Sequence, residues 1–112
     1  MTATFPGEFE QMVLLAILRL EDGAFALSVI RELDRQAGRQ VSRGALYKTL
    51  ERLEDKGLVE WEVEEATPER GGHPRRRFRV TAAGLASLRV SRDALLRLWD
   101  GLDRVLEGQA NE

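Results

Sequence analysis

The sequence predicts a mainly α-helical protein carrying one small β-hairpin, and three observations lead there. Apolar residues recur at helical spacing through the first half of the chain. The period then drops to two, in two short runs around Trp61 and Phe78. It returns at the end to a heptad spacing that continues almost to the last residue. The 112 residues, 43% of them hydrophobic, suffice for one modest core.

Residues 7–20 read as the first helix, with Phe9, Val13, Ile17 and Leu20 on one face and Met12, Leu14, Leu15 and Leu18 on its flanks. A helix that is apolar on nearly every side is expected to be central or covered by a partner. Glu21-Asp22-Gly23 closes it, glycine being tolerant of the left-handed conformation at a helix end. A second helix spans about residues 25–36, striped by Ala26, Val29, Ile30 and Leu33, and Gly38 stops it. Ser42 caps a third, which runs to about residue 56 before Gly57. At about 100° per residue, Leu46, Leu50 and Leu53 face the core, while Gly44, Lys48, Glu51 and Asp55 lie opposite, flanked by Tyr47 and Arg52.

Val59, Trp61 and Val63 then alternate with Glu60, Glu62 and Glu64, the pattern of a strand with one buried face. Residues 67–74, with Gly71, Gly72 and two prolines, form a loop, and Arg77-Phe78-Arg79-Val80 is the return strand. Thr81 caps a last helix expected to reach about residue 107. Its Leu85, Leu88, Arg92, Leu95, Trp99, Leu102 and Leu106 form a heptad seam with one polar position. Helix, helix, helix, hairpin, helix is the order of a winged helix-turn-helix domain, here residues 1–81, followed by a C-terminal dimerisation helix and tail, residues 82–112. The hairpin is the wing.

Several function classes are excluded. Without cysteine there is no disulfide and no thiol chemistry, which fits a cytoplasmic protein. A single histidine, His73, supports neither a metal site nor a hydrolytic triad, and no carboxylate pair flanks an apolar cleft. No enzyme activity, cofactor or metal is expected. No apolar run is long enough to span a bilayer, so no membrane partner is expected, and no basic segment precedes an apolar one as in a secretory signal.

The net charge of −2 argues at first against nucleic acid, but local distribution decides where a phosphate backbone docks. Residues 60–69 hold five acids and no base; residues 70–79 hold five arginines and no acid. In the third helix, Gly44 lets the backbone come close to a groove. Arg43, Lys48 and Arg52 supply donors, and Tyr47 supplies a hydroxyl or a ring. The competing reading is an ordinary solvated helix, and the acids Glu51, Glu54 and Asp55 restrict any groove contact to its early half.

On the wing, Arg77 and Arg79 are expected to pair with Glu60, Glu62 and Glu64 across the hairpin. That leaves Arg70, His73, Arg75 and Arg76 as candidates for phosphate or minor-groove contact. Leu88, Arg92, Leu95, Trp99, Leu102 and Leu106 are the candidate dimer interface. Arg92 would need an acid from the partner, such as its copy of Asp93 or Glu8. Trp99 reads first as an interface anchor and second as one wall of a pocket for a flat hydrophobic or aromatic effector.

The stretch from Ser42 to Val59, SRGALYKTLERLEDKGLV, resembles the recognition-helix signature of PadR-type transcriptional regulators. Residues 72–84, with Arg75-Arg76-Arg77-Phe78-Arg79-Val80-Thr81, resemble that family's wing and the entry to its last helix, and Gly7-Glu8-Phe9-Glu10 with the apolar residues 13–18 fits its opening. The resemblance covers about residues 7–106. It implies a homodimer that binds a pseudo-palindromic double-stranded DNA operator and represses transcription, in many members under control of a small effector. Tyr47 matches the tyrosine that typically touches DNA, and the single long last helix matches the compact members. Lys48 stands where many members have proline, and Arg77 where the wing often has an aromatic residue. A winged helix used as a protein-binding adaptor, without specific DNA binding, is the alternative.

Overall fold

The computed structural model describes residues 5–67 and 73–108. Three helices come first: α1 (Glu8–Leu20), α2 (Ala26–Ala37) and α3 (Arg43–Asp55). The strands β1 (Val59–Glu64) and β2 (Arg75–Val80) follow, then α4 (Ala82–Trp99) and a single turn, α5 (Asp103–Leu106). The expected fold class is the observed one.

Local chemistry sets the helix boundaries. Glu10 Oε1 accepts from the Gly7 N–H at 2.9 Å, returning an acceptor to the start of α1. Ser42 Oγ accepts from the Ala45 N–H at 3.1 Å at the start of α3. Gly38 ends α2 at a φ of 62°, a left-handed position that costs a glycine nothing.

The core forms where these elements converge. Val13, Leu14 and Ile17 of α1, Val29 and Leu33 of α2, Leu46, Leu50 and Leu53 of α3, and Val59, Phe78 and Val80 of the hairpin are all buried together. Each such aliphatic side chain contributes about 1.5–3 kcal/mol relative to exposure. The α1 flank is less covered than the rest, with Leu15 and Leu18 exposed.

The strands pair antiparallel, Val59 opposite Val80, Trp61 opposite Phe78 and Glu64 opposite Arg75. The α1–α2 connection adds a third, one-residue strand. Phe25 bridges to Arg77, and the Phe78 N–H donates to the Ala24 carbonyl at 2.8 Å. A single bridge has no periodicity, so alternation could not reveal it.

The joint between the hairpin and α4 is tight. Thr81 Oγ1 donates to the Gly57 carbonyl at 2.6 Å and accepts from the Gly84 N–H at 3.0 Å. A Cβ at Gly84 would lie 2.3 Å from the Leu58 carbonyl oxygen and 2.6 Å from Val80 Cγ1, so only glycine lets α4 approach this corner.

The last helix differs from expectation. It stops at Trp99 rather than near residue 107, because Asp100 leaves the helical region and Gly101 takes a φ of 80°. Leu102 and Leu106 therefore do not continue the α4 seam in one helix. No helix among the described residues is long and apolar enough to cross a membrane.

Candidate nucleic-acid interface

The N-terminal half of α3 is the exposed crest of the molecule. Gly44 meets no atom within 4 Å of where a Cβ would sit, so nothing crowds the crest there. Arg43 and Lys48 are exposed and Tyr47 is half-buried. Among the described residues, no acid forms an ion pair with Arg43, Lys48 or Arg31.

Two open grooves flank this crest. The larger, about 800 Å³, lies between α2, α3 and the wing. Arg31, Arg43, Arg75 and Arg76 line it with Ser28 and Tyr47, against one acid, Glu51. The smaller, about 450 Å³, is lined by Arg39, Gln40, Ser42, Lys48 and Arg52 and holds no carboxylate. Basic side chains thus rim α3 on both sides despite the negative net charge.

The wing arginines are placed by pairing. Arg77 donates to Glu62 Oε1 at 2.7 Å, and Arg79 donates to Glu60 at 3.0 Å, the cross-strand pairs expected from the alternation. The hydrogen bond to Glu62 pushes the Arg77 guanidinium further up, and the same bond holds the Glu62 carboxyl below the usual carboxylate range. Arg75 and Arg76, at the root of the return strand, open β2. The guanidinium of Arg75 lies 3.5 Å from the centre of the Phe25 ring and 3.2 Å from Glu64 Oε1. That of Arg76 stacks 4.4 Å from the centre of Trp61, whose indole N–H donates to Glu54 at 3.0 Å. Both line the larger groove, Arg75 paired with Glu64 and Arg76 stacked on Trp61. His73 is exposed just ahead of β2, and Arg70 lies outside the described residues.

Arg52, on the edge of the smaller groove, also reaches toward α1. It donates to Thr49 Oγ1 at 3.1 Å and pairs with Glu10 of α1 at 3.8 Å. Glu10, only 7% exposed, also accepts from Lys56 Nζ at 3.0 Å on both oxygens. Burial pushes the Glu10 carboxyl up, but the Gly7 N–H, Lys56 and Arg52 outweigh it and hold the group below its ordinary value. Arg35, Arg19 and Gln36 similarly hold Glu32 down from α2 and α1, with Arg35 the largest influence. Sequence reasoning missed Ser28 and Arg31, because α2 was read for its apolar stripe alone.

On α4, Leu88 packs against its own core, whereas Leu85, Leu95, Leu96, Leu98 and Trp99 are exposed. Arg92 finds its acid within the chain, Asp93 at 2.8 Å. Trp99 borders an open hollow of about 410 Å³ with Leu96, Asp100, Asp103 and Leu106. No group of histidines, cysteines or carboxylates able to hold a metal occurs among the described residues.

Comparison with known proteins agrees with this architecture. The family model of the PadR-like transcriptional regulators matches residues 14–90. A PadR-like transcription factor from Bacteroides fragilis is 26% identical, with a TM-score of 0.68 over 87% of this chain and 88% of that one. A PadR family regulator from Eggerthella lenta is 28% identical, with a TM-score of 0.67 over 89% and 87%. A PadR-like regulator from Bacillus cereus, 20% identical, shares the fold at a TM-score of 0.70 over 88% and 90%. No curated protein matches the sequence. The family is one of transcription factors, not enzymes, and with more than half of its length matched, the chain belongs to the PadR-like family of transcriptional regulators.

Proposed function

We propose that the protein is a homodimeric repressor whose two copies of α3 enter the major groove at the half-sites of a pseudo-palindromic operator. The observation that carries this reading is the pair Arg43 and Lys48 beside Gly44, without an ion pair among the described residues, on a crest rimmed by basic grooves. A slim N-terminal turn with outward donors is what a groove-entering helix needs. Arg43, Gly44, Tyr47 and Lys48 would face base edges and neighbouring phosphates. Arg75, Arg76 and His73 would place the wing along the backbone. Arg52, 56% exposed at the edge of the smaller groove, would hold α3 through Glu10 and offer its remaining donors to a phosphate.

The dimer follows from α4. Its exposed Leu95, Leu98 and Trp99 form an apolar surface that a second copy would cover, giving half-sites about one helical turn apart. The hollow beside Trp99 is the candidate site for a flat, hydrophobic effector that would release the operator.

Fluorescence anisotropy against duplexes from the protein's own upstream region tests the reading. Arg43→Ala should cost about 1–3 kcal/mol if it contacts a base, or lower the salt dependence by about one charge if it contacts a phosphate. Tyr47→Ala should weaken binding as well. Binding that Arg43→Ala and Tyr47→Ala leave untouched would favour the protein-adaptor alternative.

A further inference from the structure

We propose that Glu10 is a positioning residue for operator recognition, orienting α3 from behind through its ion pairs to Lys56 and Arg52. The inference rests on the reading of α3 as the groove-entering helix.

The apolar contacts of Leu46, Leu50 and Leu53 attach α3 to the core, but hydrophobic contact is not directional and tolerates small rotations and slides. Charge-assisted hydrogen bonds fix direction. Glu10 receives Lys56 Nζ on both oxygens at 3.0 Å, and Arg52 approaches to 3.8 Å. Both cations sit at the C-terminal end of α3, where positive charge also suits the helix dipole. The same carboxylate accepts the Gly7 N–H, so one group joins the start of α1 to the end of α3.

The corner does more than hold two helices. Directly after Lys56, the Gly57 carbonyl accepts from Thr81 Oγ1 and the Leu58 carbonyl from the Thr81 N–H. Those bonds tether Thr81, the cap residue of α4. The end of α3 anchored by Glu10 is therefore also the pivot between α3 and the helix that would join the two copies. A few degrees of rotation there would move the crest relative to its half-site. Glu10 itself is buried, so its effect must pass through the cations it holds on α3.

The test measures preference rather than stability. A duplex selected from a random-sequence pool by the wild-type protein is the specific probe, and a scrambled duplex of the same length is the reference. E10Q retains the shape and the acceptor for Gly7 but removes the charge. At a temperature where circular dichroism shows the variant folded, affinity for the selected duplex should fall about twofold to thirtyfold. Affinity for the scrambled duplex should hold or rise, because Arg52 and Lys56 are released as free cations. K56Q should act in the same direction, and K56R should restore the preference. Equal losses on both duplexes would mean that Glu10 only stabilises the fold, and an unchanged preference would mean that it does nothing for recognition; either overturns the proposal. Should E10Q fail to fold, K56Q and K56R decide by the same ratio. A wild-type protein that selects no duplex would refute the DNA-binding reading instead, before any variant is made.

Discussion

The head and the arm of this molecule solve the burial problem differently. In the head, α1, α2, α3 and the hairpin turn their apolar stripes onto one another, and the shared core is closed apart from the Leu15–Leu18 flank of α1. In the arm, α4 buries only Gly84 and Ser91 in full and leaves Leu98 at 72% and Trp99 at 42% exposure. A contiguous exposed apolar face of this kind marks an interaction surface. The head buries most of its apolar surface within itself, and the arm keeps an apolar face that the proposed second copy would cover.

The contrast is sharpest for core truncation. Leu50→Ala in the head should cost about 2–5 kcal/mol of unfolding free energy, seen as a large drop in Tm. Leu98→Ala should leave the Tm of dilute protein within the scatter of ordinary surface changes. A large loss for Leu98→Ala at every concentration would mean that α4 packs within its own chain. At the joint, Gly84→Ala should cost about 1–3 kcal/mol, because its Cβ meets the Leu58 backbone carbonyl as well as the buried Val80 side chain. Leu95→Glu combined with Leu98→Glu should leave the head folded by circular dichroism and yield monomer in sedimentation. A surviving dimer would move the interface elsewhere.

Much of the head was legible because its signals are local. Ser42, Gly38 and Thr81 announce helix ends by their own chemistry, and Glu60 and Glu62 alternating with Trp61 announce a strand. The cross-strand pairs of Arg77 and Arg79 followed from the same alternation. Contacts between distant residues were not legible. Arg52 and Glu10 lie 42 positions apart, so nothing near Arg52 in the sequence showed that it would approach a carboxylate of α1. Phe25 joins the hairpin by a single bridge, which leaves no pattern to read. In the arm, heptad spacing outweighed a local stop signal. Asp100-Gly101 breaks the helix inside the seam, with Gly101 in the left-handed region that glycine enters at no steric cost.

Acid exposes a smaller difference between the regions. In the head, Glu10, Glu32 and Glu62 all have carboxyls held below the ordinary value. With the folded value lower than the unfolded one, their contribution is full above about pH 4.3, the ordinary glutamate value, and drains away as pH falls through the folded values. Stability should therefore decline on the acid side, and Glu32→Gln should make that decline shallower in pH-dependent thermal melts. A decline equally steep in Glu32→Gln would mean that its pairs with Arg19 and Arg35 add nothing. The smallest effect is expected from Arg79→Ala, an exposed wing pair whose loss should not shift Tm measurably, since pairs of this kind are screened by solvent.

The central claim is that the basic crest of α3, in two copies, reads a two-fold operator. Anisotropy titration of a selected duplex across a series of salt concentrations tests it most directly. The account predicts two chains per duplex, and an affinity that falls steeply and linearly on a log–log plot as phosphate counterions are released. Binding of one chain per duplex, or an affinity indifferent to salt, would contradict it.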